Sequence, residues 1–301
     1  MRIGTVLGAT GHAEVALEID DQWYTVRTLV RRLGVPAGYP PNLEQMSLLQ
    51  WIEGGLLRGE VWAWARRGLR DRAAAEECAL TAPHFLLPYR PGQIIAAARN
   101  FSEHVRELGH ALPQEPHFFT KSPYICIGPG EPIRIPSGIG EVHYEGELAF
   151  VVGKVARSVA PERAHEYIAA YTILNDVTAR TLQRRDIEGR HPWFRSKNMD
   201  TFCPLGPALT PAEVLPFPPS LRIRTWVNDH VRQDGHTDQF IFGISDLLSR
   251  LTRHLTLFPG DVVATGTPAG VGPLQPGDRV RIEITPHVGA LENPVVAEED
   301  T

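Results

Sequence analysis

HYEGELAFVV, residues 143–152, reads as a buried strand that opens on two carboxylates. Side chains alternate across a strand, so Glu145, Glu147, Ala149 and Val151 share one face, and Leu148, Phe150 and Val152 share the other. The far half is apolar on both faces and should run into a core. Glu145 and Glu147 then sit at the mouth of that core, with Cα atoms about 6.6 Å apart. Carboxylates converging to about 5 Å repel by roughly 3 kcal/mol at an effective dielectric of ~20. A shared proton, a basic partner or a metal ion relieves such repulsion. A solvated strand end, or ion pairs with Arg or Lys, explains the same residues without a metal.

Working outward, the chain has 301 residues, 43% hydrophobic and 22% charged, with a net charge of −5. That is ordinary for a globular enzyme and long enough for two domains or one large β-rich one. The 27 glycines and 26 prolines exceed the usual combined share of roughly 12% and are scattered between apolar runs, which implies many turns and short strands. No Lys/Arg cluster is interleaved with aromatics, which argues against nucleic acid. Cys78, Cys126 and Cys203 are far apart and form no C-x-x-C, which fits a reducing compartment. No signal peptide, transmembrane run or membrane partner is expected, and the chain reads as cytoplasmic.

Residues 1–30 are expected to form a β-meander (MRIGTVLG, AEVALEID, WYTVRTLV), followed by helices over residues 41–57 and 59–80. The Pro-rich stretch at residues 81–93 divides a small N-terminal α/β region, 1–85, from a larger domain, 92–301. Beyond it, strand-like runs outnumber the helical ones, FSEHVRELG, PERAHEYIAA and GISDLLSRLTRHL, with Ser245 the expected N-cap of the last. Strands and helices do not alternate. The fold class is therefore α+β, β-rich, a roll or sandwich rather than a doubly wound sheet.

Asp176 closes the apolar run YTILND and offers a third carboxylate near a helix start. Three carboxylates without a thiolate suit Mg²⁺, Mn²⁺ or Ca²⁺. His143 shares the Glu145/Glu147 face, so a mixed His/carboxylate site stays open. His104 and Glu107, at i and i+3, are helix neighbours, competent as a general base or simply an exposed charged face. Lys197 could polarise a carbonyl or be an ordinary strand-end lysine. VVATGTPAGVG, residues 262–272, lets backbone N–H groups approach an anion but carries no phosphate-loop signature. Asn228-Asp229 reads as a hairpin turn.

Taken in order, RNFSEHVRELG, PHFFTKSPYICIGPGEPIRIP, VHYEGELAFVVGK, YTILNDVTARTLQRRD, FRSKNMDTFCPLGP, WVNDHVRQDGHTDQFIF and LFPGDVVATGTPAGVG resemble the fumarylacetoacetate hydrolase family from about residue 92 onward. The resemblance implies a β-rich roll of mixed sheets and a homodimer with a divalent metal, Mg²⁺ or Mn²⁺, in each subunit. It implies Glu145, Glu147 and Asp176 as ligands, and His104 with Glu107 as the water-activating pair on a lid-like segment. Lys197 falls on the site lysine, Arg180 and Gln183 on substrate contacts, and Gly266-Thr267 on the loop holding the substrate's carboxylate end. The implied activity is hydrolysis of a C–C bond in a small 2,4-dioxo acid of the acylpyruvate or fumarylacetoacetate kind. Decarboxylation of oxaloacetate-like acids, isomerisation of hydroxydienedioates, or dicarboxylate binding without catalysis are the alternatives. Two departures stand out: the family's G-x-N-Y reads Ala98-Arg99-Asn100-Phe101, and its G-N-T reads Gly235-His236-Thr237.

Overall fold

The structure, a computed structural model, describes residues 1–107 and 111–298, without the side chains of residues 72–74, 104 and 105. Its largest sheet runs in the order Gln22–Thr25, Ala13–Ile19, Ile3–Leu7, Cys203–Pro211, Ile168–Asn175, Gly146–Val152, Val262–Ala264, Ile94–Ala98 and His117–Lys121, with Cys126–Ile127 beside Cys203–Pro211. A five-stranded sheet (His230–His236, Arg222–Val227, Arg279–Thr285, Gly289–Ala297, Ile133–Ile135) and a small three-stranded one complete the β structure. The protein is α+β and β-rich, with the roll of mixed sheets expected from its sequence.

The Gly146–Val152 strand lies near the middle of the large sheet and is buried along its whole length. Ala149 and Val151 pack into the core that also takes the N-terminal helices. Leu148, Phe150 and Val152 pack into a second core, formed with Ile223, Ile282 and the apolar stripe of helix Ile244–His254. Both faces are dry, so only the strand's N-terminal mouth can hold charge. The N-terminal meander is hydrogen-bonded to this sheet through Ile3 opposite Leu209 and Gly4 opposite Ala208, so its strands extend the large sheet.

Several local expectations are corrected. WYTVRTLV is not one strand: Val26–Leu33 is a helix, because Thr25 Oγ1 accepts the N–H of Thr28 at 3.1 Å and Val26 and Leu29 turn inward together. PERAHEYIAA is a 3₁₀ turn over Pro161–Tyr167 that passes into the strand Ile168–Asn175, where sheet pairing with Gly146–Val152 outweighs helix propensity. Gly243, not Ser245, occupies the N-cap of helix Ile244–His254, and no side chain caps it. The strand Gly289–Ala297 escaped notice because Pro294 and Glu292 break its pattern; Leu291, Asn293 and Val295 face inward.

Candidate active site

Strands Gly146–Val152 and Ile168–Asn175 are antiparallel, with Gly146 opposite Asn175. Their adjoining ends therefore bring Glu145, Glu147 and Asp176 together. Asn175 Oδ1 accepts the Glu145 N–H at 3.0 Å, and the Asp176 N–H donates to the Glu145 carbonyl at 2.9 Å. One oxygen from each carboxyl group lies within 4.8 Å of the others, and all three residues are buried.

Among the described residues, Lys197, Arg180 and Lys121 bring positive charge to this cluster. Lys197 Nζ donates to Glu145 Oε2 at 2.8 Å and to Asp176 Oδ2 at 2.5 Å. Arg180 donates to Glu145 Oε1 and, at 2.6 Å, to Gln183 Oε1. Lys121 Nζ donates to Asp176 Oδ1 at 2.6 Å and to the Lys197 carbonyl at 2.7 Å. Burial alone would lower the Lys197 ammonium, but Asp176 and Glu145 outweigh it and raise its pKa. Lys197 closes a short helical turn, Phe194–Lys197, rather than a strand. Lys121 was missed in the sequence; its alternation with Phe119, which lines the same cavity, was the available signal.

The two carboxylates that pose the opening question are treated differently. Glu145 is ion-paired with both Arg180 and Lys197 among the described residues. Glu147 has no cation within 4 Å among the described residues and accepts one hydrogen bond, from the Gly266 N–H at 2.8 Å. Burial, then repulsion from Asp176 and Glu145, pushes its carboxyl well above the usual range. The small-residue loop thus does cradle an anion, and that anion is the chain's own carboxylate. Gly266 has φ 92°, and a Cβ there would stand 2.9 Å from Asn100 Cβ. Thr267 Oγ1 donates to the Gly146 carbonyl at 2.9 Å and accepts from Gln233 Nε2 at 2.7 Å. Gln233, fully buried, also accepts from the Gly146 N–H and from Thr225 Oγ1, tying the hairpin to the carboxylate strand.

Above the cluster opens a cavity of about 430 Å³, lined by all three acids, Lys197, Arg180, Gln183 and Thr267. Phe119 and Trp193 meet edge to face at 6.0 Å on its wall, and Lys197 Nζ lies 4.8 Å over the Phe119 ring. Glu107 also lines it, with both carboxylate oxygens 3.2 Å from the Gly270 N–H. His104 lies on the same helix, Ser102–Glu107, but its side chain is outside the described residues. His143 lines the cavity with Nδ1 accepting from Arg180 Nε at 3.4 Å; burial, then Arg180, pushes its pKa down to about 4. Its Nε2 lies 3.4 Å from Glu141 Oε2 but out of hydrogen-bond alignment.

Of the two departures from the family pattern, Phe101 is buried against Phe240 at 5.0 Å, so the ring that replaces tyrosine belongs to the core. His236 caps a turn, accepting the Asp238 N–H at 3.3 Å, and does not line the cavity.

The donor set can be tested against a divalent cation. It offers one oxygen from each of three buried carboxyl groups and no thiolate, and Glu147 is short of positive charge. Such a set fits a hard divalent ion. A β-roll with an acidic, metal-competent cluster at a strand mouth, opening into a cavity, has the arrangement of an enzyme pocket. The chain belongs to the fumarylacetoacetate hydrolase family: the model for the fumarylacetoacetate (FAA) hydrolase C-terminal domain matches residues 93–296. The chain is 41% identical over 213 residues to the oxaloacetate tautomerase fahd2 of Xenopus laevis, 68% of this chain and 66% of that protein. The fumarylacetoacetate hydrolase of Exiguobacterium antarcticum superposes with a TM-score of 0.77 at 31% identity, covering 99% of this chain and all of the other. The maleylpyruvate hydrolase of Sphingobium sp. SYK-6, solved with manganese(II) and pyruvate, gives 0.72 at 30% identity over 99% and 100%. Members of this family include hydrolases, isomerases and tautomerases. No helix among the described residues is long and apolar enough to cross a membrane.

Proposed function

We propose that the protein is a divalent-cation-dependent hydrolase that cleaves the C–C bond of a 2,4-dioxo acid of the acylpyruvate type, releasing pyruvate and a carboxylic acid. The observation that carries this reading is Glu107: it ends helix Ser102–Glu107, and its carboxylate lines the cavity that also holds the acidic cluster. Hydrolysis needs a base for water, and His104, three residues before Glu107, is the group such a carboxylate would orient. Bound at Glu145, Glu147 and Asp176, Mg²⁺ or Mn²⁺ would supply Lewis acidity to the oxygens of the oxo acid.

The chain's own residues account for the rest. Arg180, Gln183 and Thr267 border the cavity and would hold the pyruvoyl end. Lys197 keeps its proton beside two carboxylates and would donate to developing negative charge on the substrate. Phe119 and Trp193 line the same cavity and would screen the substrate from bulk water. His104 would take a proton from water as its oxygen attacks the distal carbonyl. The bond between the two carbonyl-bearing halves then breaks, and its electron pair leaves with the pyruvate enolate, which is protonated to pyruvate. We take the working form to be a homodimer.

The kinship with an oxaloacetate tautomerase favours a second reading, in which the enolate forms without attack by water. Acylpyruvates, oxaloacetate and a hydroxymuconate-type diacid, assayed with and without Mg²⁺ and resolved by chromatography, separate the two. Hydrolysis is expected to release pyruvate from an acylpyruvate only with metal, and Glu107→Gln to lower kcat about 10²- to 10⁴-fold. Loss of CO₂ from oxaloacetate, or isomerisation without cleavage, overturns the hydrolytic step.

A further inference from the structure

Arg99 is unlike the other cations of the cavity. Arg180 and Lys197 are bound to Glu145, and Arg184 reaches Glu141 at 3.3 Å. Arg99 also lines the cavity, yet among the described residues it has no carboxylate within ion-pair distance. Its guanidinium instead rests 5.8 Å from the Trp193 ring centroid. Burial lowers its pKa, with no neighbouring carboxylate opposing.

Its backbone is equally unusual. Arg99 has φ 57°, a left-handed conformation costly for a long side chain. The next residue enforces it. Asn100 is buried, donates from Nδ2 to the carbonyls of Phe242 at 3.0 Å and Thr265 at 2.8 Å, and accepts the Phe242 N–H at 2.8 Å. This clamp and the end of strand Ile94–Ala98 leave Arg99 no relaxed alternative. Strain kept at a cavity wall and a half-buried cation held on an aromatic face without an anion both describe a place prepared for a ligand anion.

We propose that Arg99, presented by Trp193, binds a second carboxylate at the end of the substrate remote from the acidic cluster, so that the protein selects dianionic 2-oxo acids over monoanionic ones. The proposal rests on the oxo-acid reading of the site and adds to it the charge of the distal end. Size agrees: about 430 Å³ leaves room beyond a pyruvoyl group.

Two acids of equal chain length test it by isothermal titration with Mg²⁺ in excess: 2-oxoglutarate, with a distal carboxylate, and 2-oxopentanoate, without one. The wild type is expected to bind 2-oxoglutarate about 10- to 100-fold more tightly, the value of one charge-assisted contact. Arg99→Gly, which relieves the left-handed backbone and so preserves folding, should erase that preference; Arg99→Lys should keep part of it. Absence of preference in the wild type, binding of neither acid, or a preference that survives in Arg99→Gly overturns the proposal. Turnover of acylpyruvates without the preference sinks the distal site alone. The preference without turnover of any oxo acid leaves the site standing and sinks the hydrolase.

Discussion

Glu145 and Glu147 stand two residues apart on one strand mouth, yet their surroundings are opposite. The Glu145 side is saturated with charge, since Arg180 and Lys197 both bind it. The Glu147 side offers one backbone N–H and the repulsion of two other acids. Three reliefs could be drawn from the strand alone, a shared proton, a basic partner or a metal ion, and the molecule uses the basic partner at Glu145 and leaves the other two open at Glu147. A buried carboxylate short of countercharge is costly unless something completes it.

The contrast predicts variants of opposite sign. Glu147→Gln keeps an acceptor for Gly266 and removes the charge, so the metal-free protein should melt no lower than wild type. The same change should abolish the rise in Tm on adding Mg²⁺ and cut activity by about 10³-fold or more, the scale of lost Lewis-acid stabilisation. Glu145→Gln leaves buried Arg180 without its carboxylate partner and Lys197 with Asp176 alone, and should cost about 3–5 kcal/mol in metal-free urea unfolding. If Glu147→Gln retains a Mg²⁺-dependent shift, the ligand assignment is wrong. If both variants destabilise equally, the asymmetry has no energetic meaning.

Lys121→Met sharpens the comparison at the third acid. Lys121 is fully buried and binds both Asp176 and the Lys197 carbonyl. Its loss leaves Asp176 with Lys197 alone and the carbonyl without its donor, at a cost of about 3 kcal/mol. Activity should fall as well, because the turn carrying Lys197 loses its tether. A stability loss with unchanged kcat would confine Lys121 to folding.

The acids and the strand were legible in the sequence because parity and burial are local properties: Glu145 and Glu147 alternate with residues that can only be core. Gly266 was legible as an anion-approaching backbone, but not which anion, because Glu147 lies 119 residues away. Gln233 and Lys121 were hidden for the same reason. Each is one polar residue in an ordinary strand, and its meaning comes from partners that only the sheet order supplies. Arg99 was visible only as the variable position of a motif, between Ala98 and Asn100. Its significance lies in a backbone angle that Asn100 imposes and no composition encodes. The helix over Val26–Leu33 was misread because β-branched residues favour strands, while a single threonine cap and an inward-facing pair decided otherwise.

The smallest effect is expected at the far edge of the same sheet, where Arg2 grips Glu18 with two nitrogens and the Met1 amine lies 3.6 Å away. Burial alone would raise the Glu18 carboxyl; Arg2 and the amine outweigh it and hold the pKa below its ordinary 4.5. A carboxyl depressed in the folded state adds stability above its unfolded pKa and loses it as pH falls through the folded value. Glu18→Gln should therefore cost about 1 kcal/mol at pH 7, and its difference from wild type should close below about pH 4.5. Unlike Glu145, this pair borders solvent, so its contribution should also shrink in high salt. A difference that persists undiminished at pH 3 would mean that Glu18 acts through packing rather than charge. The contrast between carboxylates would then reflect depth in the sheet more than the cations beside them.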